Sequence, residues 1–319
     1  MKRFWFGLLW LAAFAAAGSA AGHRYIPPIP LAFIVVSGAA AGRLVGGLLF
    51  LFLAGLNVLP GARLGRGAPV RWGVAQAAWM VVQFFTMQVA TQFLVVLVLA
   101  AGIGAMLAAH GAPVGAGLRR DLAGLGFLPV LATAAGYLAA GWWSVWYIGR
   151  LGSARFRDGS PTGIAWRPAP RVAYLAALGC LAVVGAAGAL VQLVDPPDKA
   201  AEAHNMIVLL FGHSPWKLAV LFVLAAGLAP FLEELVFRGG MIAALSPRLG
   251  AFWAAVATSV VFTACHAEEG LTYHAGLLVI LCIAVALAWL RLKYQSIRPG
   301  ILLHVLFNGF SVLALAFTR

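Results

Sequence analysis

Acidic residues are scarce, nine Asp and Glu in 319 residues, and charged residues of both signs make up only 10% of the chain. A soluble domain carries about 25%. With 63% hydrophobic residues and a mean hydropathy of +0.96, this excludes a water-soluble globule. Cysteine is nearly absent too. Cys180, Cys265 and Cys282 each lie in an apolar run without paired spacing, which excludes a zinc knuckle or a disulfide framework. No stretch alternates apolar and polar residues over the roughly ten positions of a membrane-spanning strand, so a β-barrel is excluded. Fixed-period repeats and long low-complexity linkers are missing as well.

What is present is a series of apolar runs, most of them with few or no charged residues, each near the about 20 residues that one helical crossing requires. They fall near residues 4–22, 31–56, 74–109, 125–148, 172–194, 216–245, 250–267, 274–291 and 299–317. The chain is therefore expected to be an all-α, polytopic transmembrane helix bundle of about nine spans, with eight and ten as alternatives. The third run would be about 54 Å long as one helix, so it either tilts and projects or breaks in two. The first run, from Lys2 and Arg3 to the small residues before His23, has the outline of a signal peptide over 1–21, cleaved or kept as a first helix.

The net charge of +13 does not describe a nucleic-acid surface, because the basic residues sit between the apolar runs rather than in one stripe. Placing the N-terminus inside assigns fifteen of them to inner segments, including Arg150, Arg155, Arg157, Arg167, Arg171, Arg238, Arg248, Arg291 and Arg298. Six fall outside, and the acidic stretch from Asp195 to Glu202 faces outward. This matches the positive-inside rule with an external C-terminus. Arg43 lies within a run and is read as snorkelling or as a contact between helices. Eighteen arginines against four lysines, with abundant Ala and Gly, suggest a GC-rich bacterial genome and hence a bacterial inner membrane.

The arginine-rich stretch Gly149–Arg171 divides the sequence by character. Residues 1–170 form an N-terminal transmembrane region of unknown role, and 171–319 hold the ionisable residues, with the motifs inside 215–315. An ionisable group in a spanning helix costs several kcal/mol unless paired or hydrated, which makes Glu233 and Glu234 functional candidates. On a helix Glu234 and Arg238 share a face and can pair, whereas Glu233 is turned by about 100° and has no such partner. Phe262 shares a face with His266, and His304 with Asn308. A carboxylate, two imidazoles and a carboxamide are the parts needed to activate water, protonate a leaving amine and hold an oxyanion. If the chain folds back near Ser246–Gly250, Glu233 and His266 lie about 18 and 24 Å from the turn and can face each other. His304, about 8 Å into its own helix, meets them only if the Glu233 helix extends or the last helix starts deeper.

Glu-Glu-x-x-x-Arg-Gly at 233–239, Phe-x-x-x-His at 262–266 and His-x-x-x-Asn at 304–308 together resemble the CPBP family of intramembrane proteases, which includes the CAAX prenyl endopeptidases of the Rce1 type. The likeness covers residues 215–315. It implies that Glu233 is the catalytic glutamate and His266 its partner in activating water. It further implies that His304 and Asn308 stabilise the oxyanion, with Glu234, Arg238 and Phe262 in support. The substrate would be a membrane-embedded or lipid-anchored protein in the bilayer. Glu268 and Glu269 directly after His266 depart from the pattern.

Two alternatives stay open. Glu233, His266 and His304 could form a three-ligand zinc site, but the His-Glu-x-x-His helix is missing, so direct action of Glu233 and His266 on water without a cofactor is preferred. Buried Glu, Arg and His also serve proton-coupled transporters or non-catalytic scaffolds. A carrier, however, would show two matching halves, and here the ionisable residues cluster in one.

Overall fold

The computed structural model describes residues 73–110, 127–149, 156–196, 215–267 and 273–317. The crossings expected at 4–22 and 31–56, the signal-peptide outline, Arg43, Glu268 and Glu269 lie outside them. Regular structure among the described residues is entirely helical. In apolar surroundings this follows from the backbone, whose polar groups a helix satisfies within one segment.

Helix α1 spans Val74–Ala109 and is unbroken over 36 residues, so the third run does not break in two. Helices α2, Leu128–Gly149, and α3, Arg171–Val194, follow. A long helical course then begins with α4, Pro215–Leu221, and passes through a π-helical stretch, π1, at Phe222–Leu228. It continues through α5, Ala229–Glu233, a second π-helical stretch, π2, at Glu234–Met241, and α6, Ile242–Cys265. Helices α7, Gly276–Tyr294, and α8, Arg298–Phe317, complete the order. Among the described residues, four stretches are long and apolar enough to cross a membrane, namely Ala77–Ala109, Arg171–Val194, Pro215–Cys265 and Gly276–Tyr294, and Arg298–Ala314 is a shorter apolar helix. The count of about nine therefore rests partly on residues outside the described set.

Two features shape the long course. Pro230 has no N–H to donate and its ring crowds the preceding turn, and π1 lies directly upstream of it. Gly250, at φ 75° and ψ 161°, breaks α6 in a backbone region that L side chains rarely enter. The chain folds back there, as the expected turn near Ser246–Gly250 requires. Phe237 and Phe262, on either side of it, meet edge to face with ring centroids 5.2 Å apart.

One core joins the two halves of the sequence. Met80 and Phe84 of α1, Ala140 and Trp143 of α2, and Ile164 are buried in the same cluster as Leu232, Leu235 and Phe237. The change of character at Gly149–Arg171 is thus a boundary of composition and not of packing. Within that connection Gly159, Gly163, Ile164 and Ala165 are buried. Ser296 donates from its hydroxyl to the Arg167 carbonyl at 2.6 Å, so two connections expected on the inner face share one end of the bundle.

Candidate active site

The site forms where π2, the second half of α6 and the start of α8 converge. Glu234 and Arg238 pair as their spacing implies, Nη1 to Oε1 at 3.0 Å, and both side chains are fully buried. Arg238 is held twice more. Its Nη2 donates to the Ala284 carbonyl of α7 at 3.2 Å, and its guanidinium carbon lies 4.2 Å from the Phe262 ring centroid. Ser259 donates to the same Ala284 carbonyl at 3.2 Å. A buried charge is tolerated only with such multiple partners.

Glu233 is different. Its side chain keeps 12% of its surface exposed against 0% for Glu234, and its ionic neighbour is His304, whose Nε2 lies 3.8 Å from Oε2. The other ring nitrogen of His304 is 3.2 Å from Glu234 Oε1. The imidazole therefore stands between the two carboxylates. Because an ionised carboxylate only accepts, the hydrogen on this side belongs to Nδ1.

Phe262 is the hub of the remaining contacts. Its ring lies 4.6 Å from the His266 ring and 5.8 Å from that of His304. His266 ends α6, and its Nδ1–H donates to the Phe262 carbonyl at 2.8 Å. That bond fixes the tautomer and leaves Nε2 with its lone pair free to accept.

His304 reaches Glu233 from a helix whose start is packed inside the protein. Ser296, Ile297, Pro299 and Gly300 are buried, and a side chain at Gly300 would begin 3.0 Å from Glu234 Oε2. Asn308 lies apart from this cluster. Its Nδ2 donates to the Ala225 carbonyl at 2.8 Å. That carbonyl is left over by π1, since the Ala229 N–H turns to Leu224 and the residue five positions on is Pro230. The amide keeps a second hydrogen. Pro230 inside an apolar helical run was the sequence signal for this contact. Ser259 and Ala284 carried no signal at all.

The structure thus gathers Glu233, Glu234, Arg238, Phe262, His266 and His304 and ties Asn308 to an adjoining turn. Beside them an apolar groove of about 480 Å³ runs between α2 and α5, lined by Gly141, Trp142, Trp146, Phe231 and Leu232 among others. Among the described residues, no three His, Cys, Asp or Glu side chains are arranged to hold a metal ion.

Residues 215–310 match the family model of the type II CAAX prenyl endopeptidases, Rce1-like. This segment is Rce1-like. The family is one of proteases, and the Rce1-like segment contains every residue of the cluster and Asn308, while α1, α2, the 156–170 connection and α3 lie outside it. No curated protein and no solved structure matches the chain. Apolar helices together with the Rce1-like segment make this an integral membrane protein.

Proposed function

We propose that the protein is an intramembrane endopeptidase that hydrolyses a peptide bond in a membrane-associated or lipid-anchored protein, in a bacterial inner membrane. One observation carries this reading, the unequal state of two adjacent carboxylates. Glu234 is sealed in a charge pair, while Glu233 faces an imidazole and the open side. A carboxylate that receives no hydrogen bond from the guanidinium can take a proton from water, and His266, with its Nε2 lone pair, orients the same water.

The water oxygen attacks the scissile carbonyl carbon as its proton passes to Glu233. The resulting oxyanion accepts hydrogen bonds from His304 Nε2–H and from the second amide hydrogen of Asn308. Because His304 Nδ1 already carries a hydrogen, the donating form is the doubly protonated ring between Glu233 and Glu234. Collapse breaks the C–N bond as Glu233 returns the proton to the leaving amine. Glu234 and Arg238 hold the turn, Phe262 spaces the two imidazoles, and the groove along α2 offers an apolar approach. The Rce1-like match favours this over a proton-coupled transporter or scaffold. The scheme uses no cofactor, and the donors of the zinc alternative, Glu233, His266 and His304, are not grouped as a metal site, so no step runs through one.

The test is Glu233→Gln in purified protein with a membrane-anchored reporter peptide. Cleavage should fall by about 100-fold or more with the yield of folded protein unchanged. Turnover like that of the wild type would refute the assignment.

A further inference from the structure

The segment 156–167 lies outside the Rce1-like residues, yet it is built into the underside of the site. Arg291, buried near the end of α7, donates to three of its carbonyls: Gly159 at 3.1 Å, Ser160 at 2.8 Å and Gly163 at 2.7 Å. The segment also closes on itself. Ala165 N–H donates to the Asp158 carbonyl at 2.8 Å and Trp166 N–H to the Phe156 carbonyl at 2.9 Å. Ala165 is buried at φ 61°, a left-handed conformation that a non-glycine residue keeps when its surroundings impose it. Its carbonyl accepts from Ile297 N–H at 3.2 Å, which links the segment to the start of α8. On the far side Trp166 meets Phe231 edge to face at 5.5 Å, and Arg298 covers it at 4.9 Å.

These bonds deliver Ile164, wholly buried, to Gly239, the residue that follows Arg238. A Cβ at 239 would stand 2.9 Å from Ile164 Cγ2 and 3.3 Å from its carbonyl oxygen. The fit therefore depends on glycine. Where the surrounding medium is itself apolar, hydrophobic force does not press helices together, and close packing and hydrogen bonds must do it. We infer that segment 156–167 is the floor of the site, clamped by Arg291, and that Ile164 and Arg291 are positioning residues. They set the height of π2 and so of the Glu234–Arg238 pair. The seat itself stands on geometry alone; its effect on turnover rests on the proposed protease reading.

A double-variant cycle in the full-length protein in detergent tests both. Gly239→Ala should lower the thermal midpoint and slow cleavage of a membrane-anchored reporter peptide about tenfold at unchanged KM. Adding Ile164→Ala should recover part of both, because the colliding methyl is gone while the close carbonyl remains. Losses that simply add in the double variant would overturn the seat. A recovered midpoint without recovered turnover would overturn the positioning role. The midpoints need no substrate, so the seat is tested even if the wild type cleaves nothing. Arg291→Lys should slow turnover as much as Arg291→Gln, since the planar fork and not the charge reaches three carbonyls. Wild-type turnover with lysine would overturn the clamp.

Discussion

Asn308 has two tasks in this structure, and a pair of substitutions separates them. The Ala225 carbonyl has lost both helical donors, one because Ala229 N–H turns to Leu224 and one because Pro230 has none, and Asn308 Nδ2 replaces them at 2.8 Å. Removing a donor that leaves a buried acceptor unpaired costs about 1–3 kcal/mol. Asn308→Ala should destabilise the protein by that amount, measured as a fall in unfolding free energy in detergent. Pro230→Ala restores a backbone N–H five positions after Ala225, the donor that a π-helical turn uses. Introduced into Asn308→Ala, it should therefore return most of the lost stability. Cleavage should not return with it, because the oxyanion would still lack the second amide hydrogen, a loss of about 100-fold or more in turnover. A double variant that recovers activity along with stability would reduce Asn308 to a structural prop. One that recovers neither would refute the account of the orphaned carbonyl.

Glu234→Gln should lower the yield of folded protein as well as activity, because it leaves Arg238 buried without its carboxylate, at a cost of about 3–5 kcal/mol, measurable by size-exclusion recovery and melting. If the oxyanion role of His304 is right, His304→Ala should cut turnover about 100-fold with substrate binding nearly intact, and chelators should leave the wild type active. Stoichiometric zinc that activity follows would replace that mechanism with the metal one. A topology reporter fused after Arg319 should read external and one placed after Gly152 cytoplasmic; two cytoplasmic readings would mean a miscounted span in the second half.

Contacts set by spacing along one helix were legible in the sequence. Glu234 and Arg238 pair, Phe262 packs on His266, and the turn at Gly250 brings Phe237 to Phe262, because a helix places residues four apart on one face and a glycine allows the reversal. What hydropathy could not yield is how far each helix sits along its neighbour. The depth of His304 depends on Ser296–Gly300 being buried under a connection whose own position is set by one arginine and three carbonyls. Backbone carbonyls leave no trace in side-chain chemistry, so Arg291 read only as one more inward-facing positive charge. For the same reason Asn308 read as part of the cluster, although its amide is committed to a carbonyl that only the π-helical detour exposes.

The two π-helical stretches on either side of Glu233 carry one more implication, in the language of insertions and deletions. A π turn inside an α-helix is the residue of a single inserted amino acid, absorbed without breaking the helix. Excising one residue between Glu234 and Met241 would let the chain relax to α geometry and would leave everything downstream in its present phase relative to Glu233, since the π stretch had absorbed that residue. If the residue removed lay before Arg238, the guanidinium would stand three positions after Glu234 instead of four, while Phe262 and His266 kept their places. The four-residue spacing from Glu234 to Arg238 should be the inelastic part of this stretch.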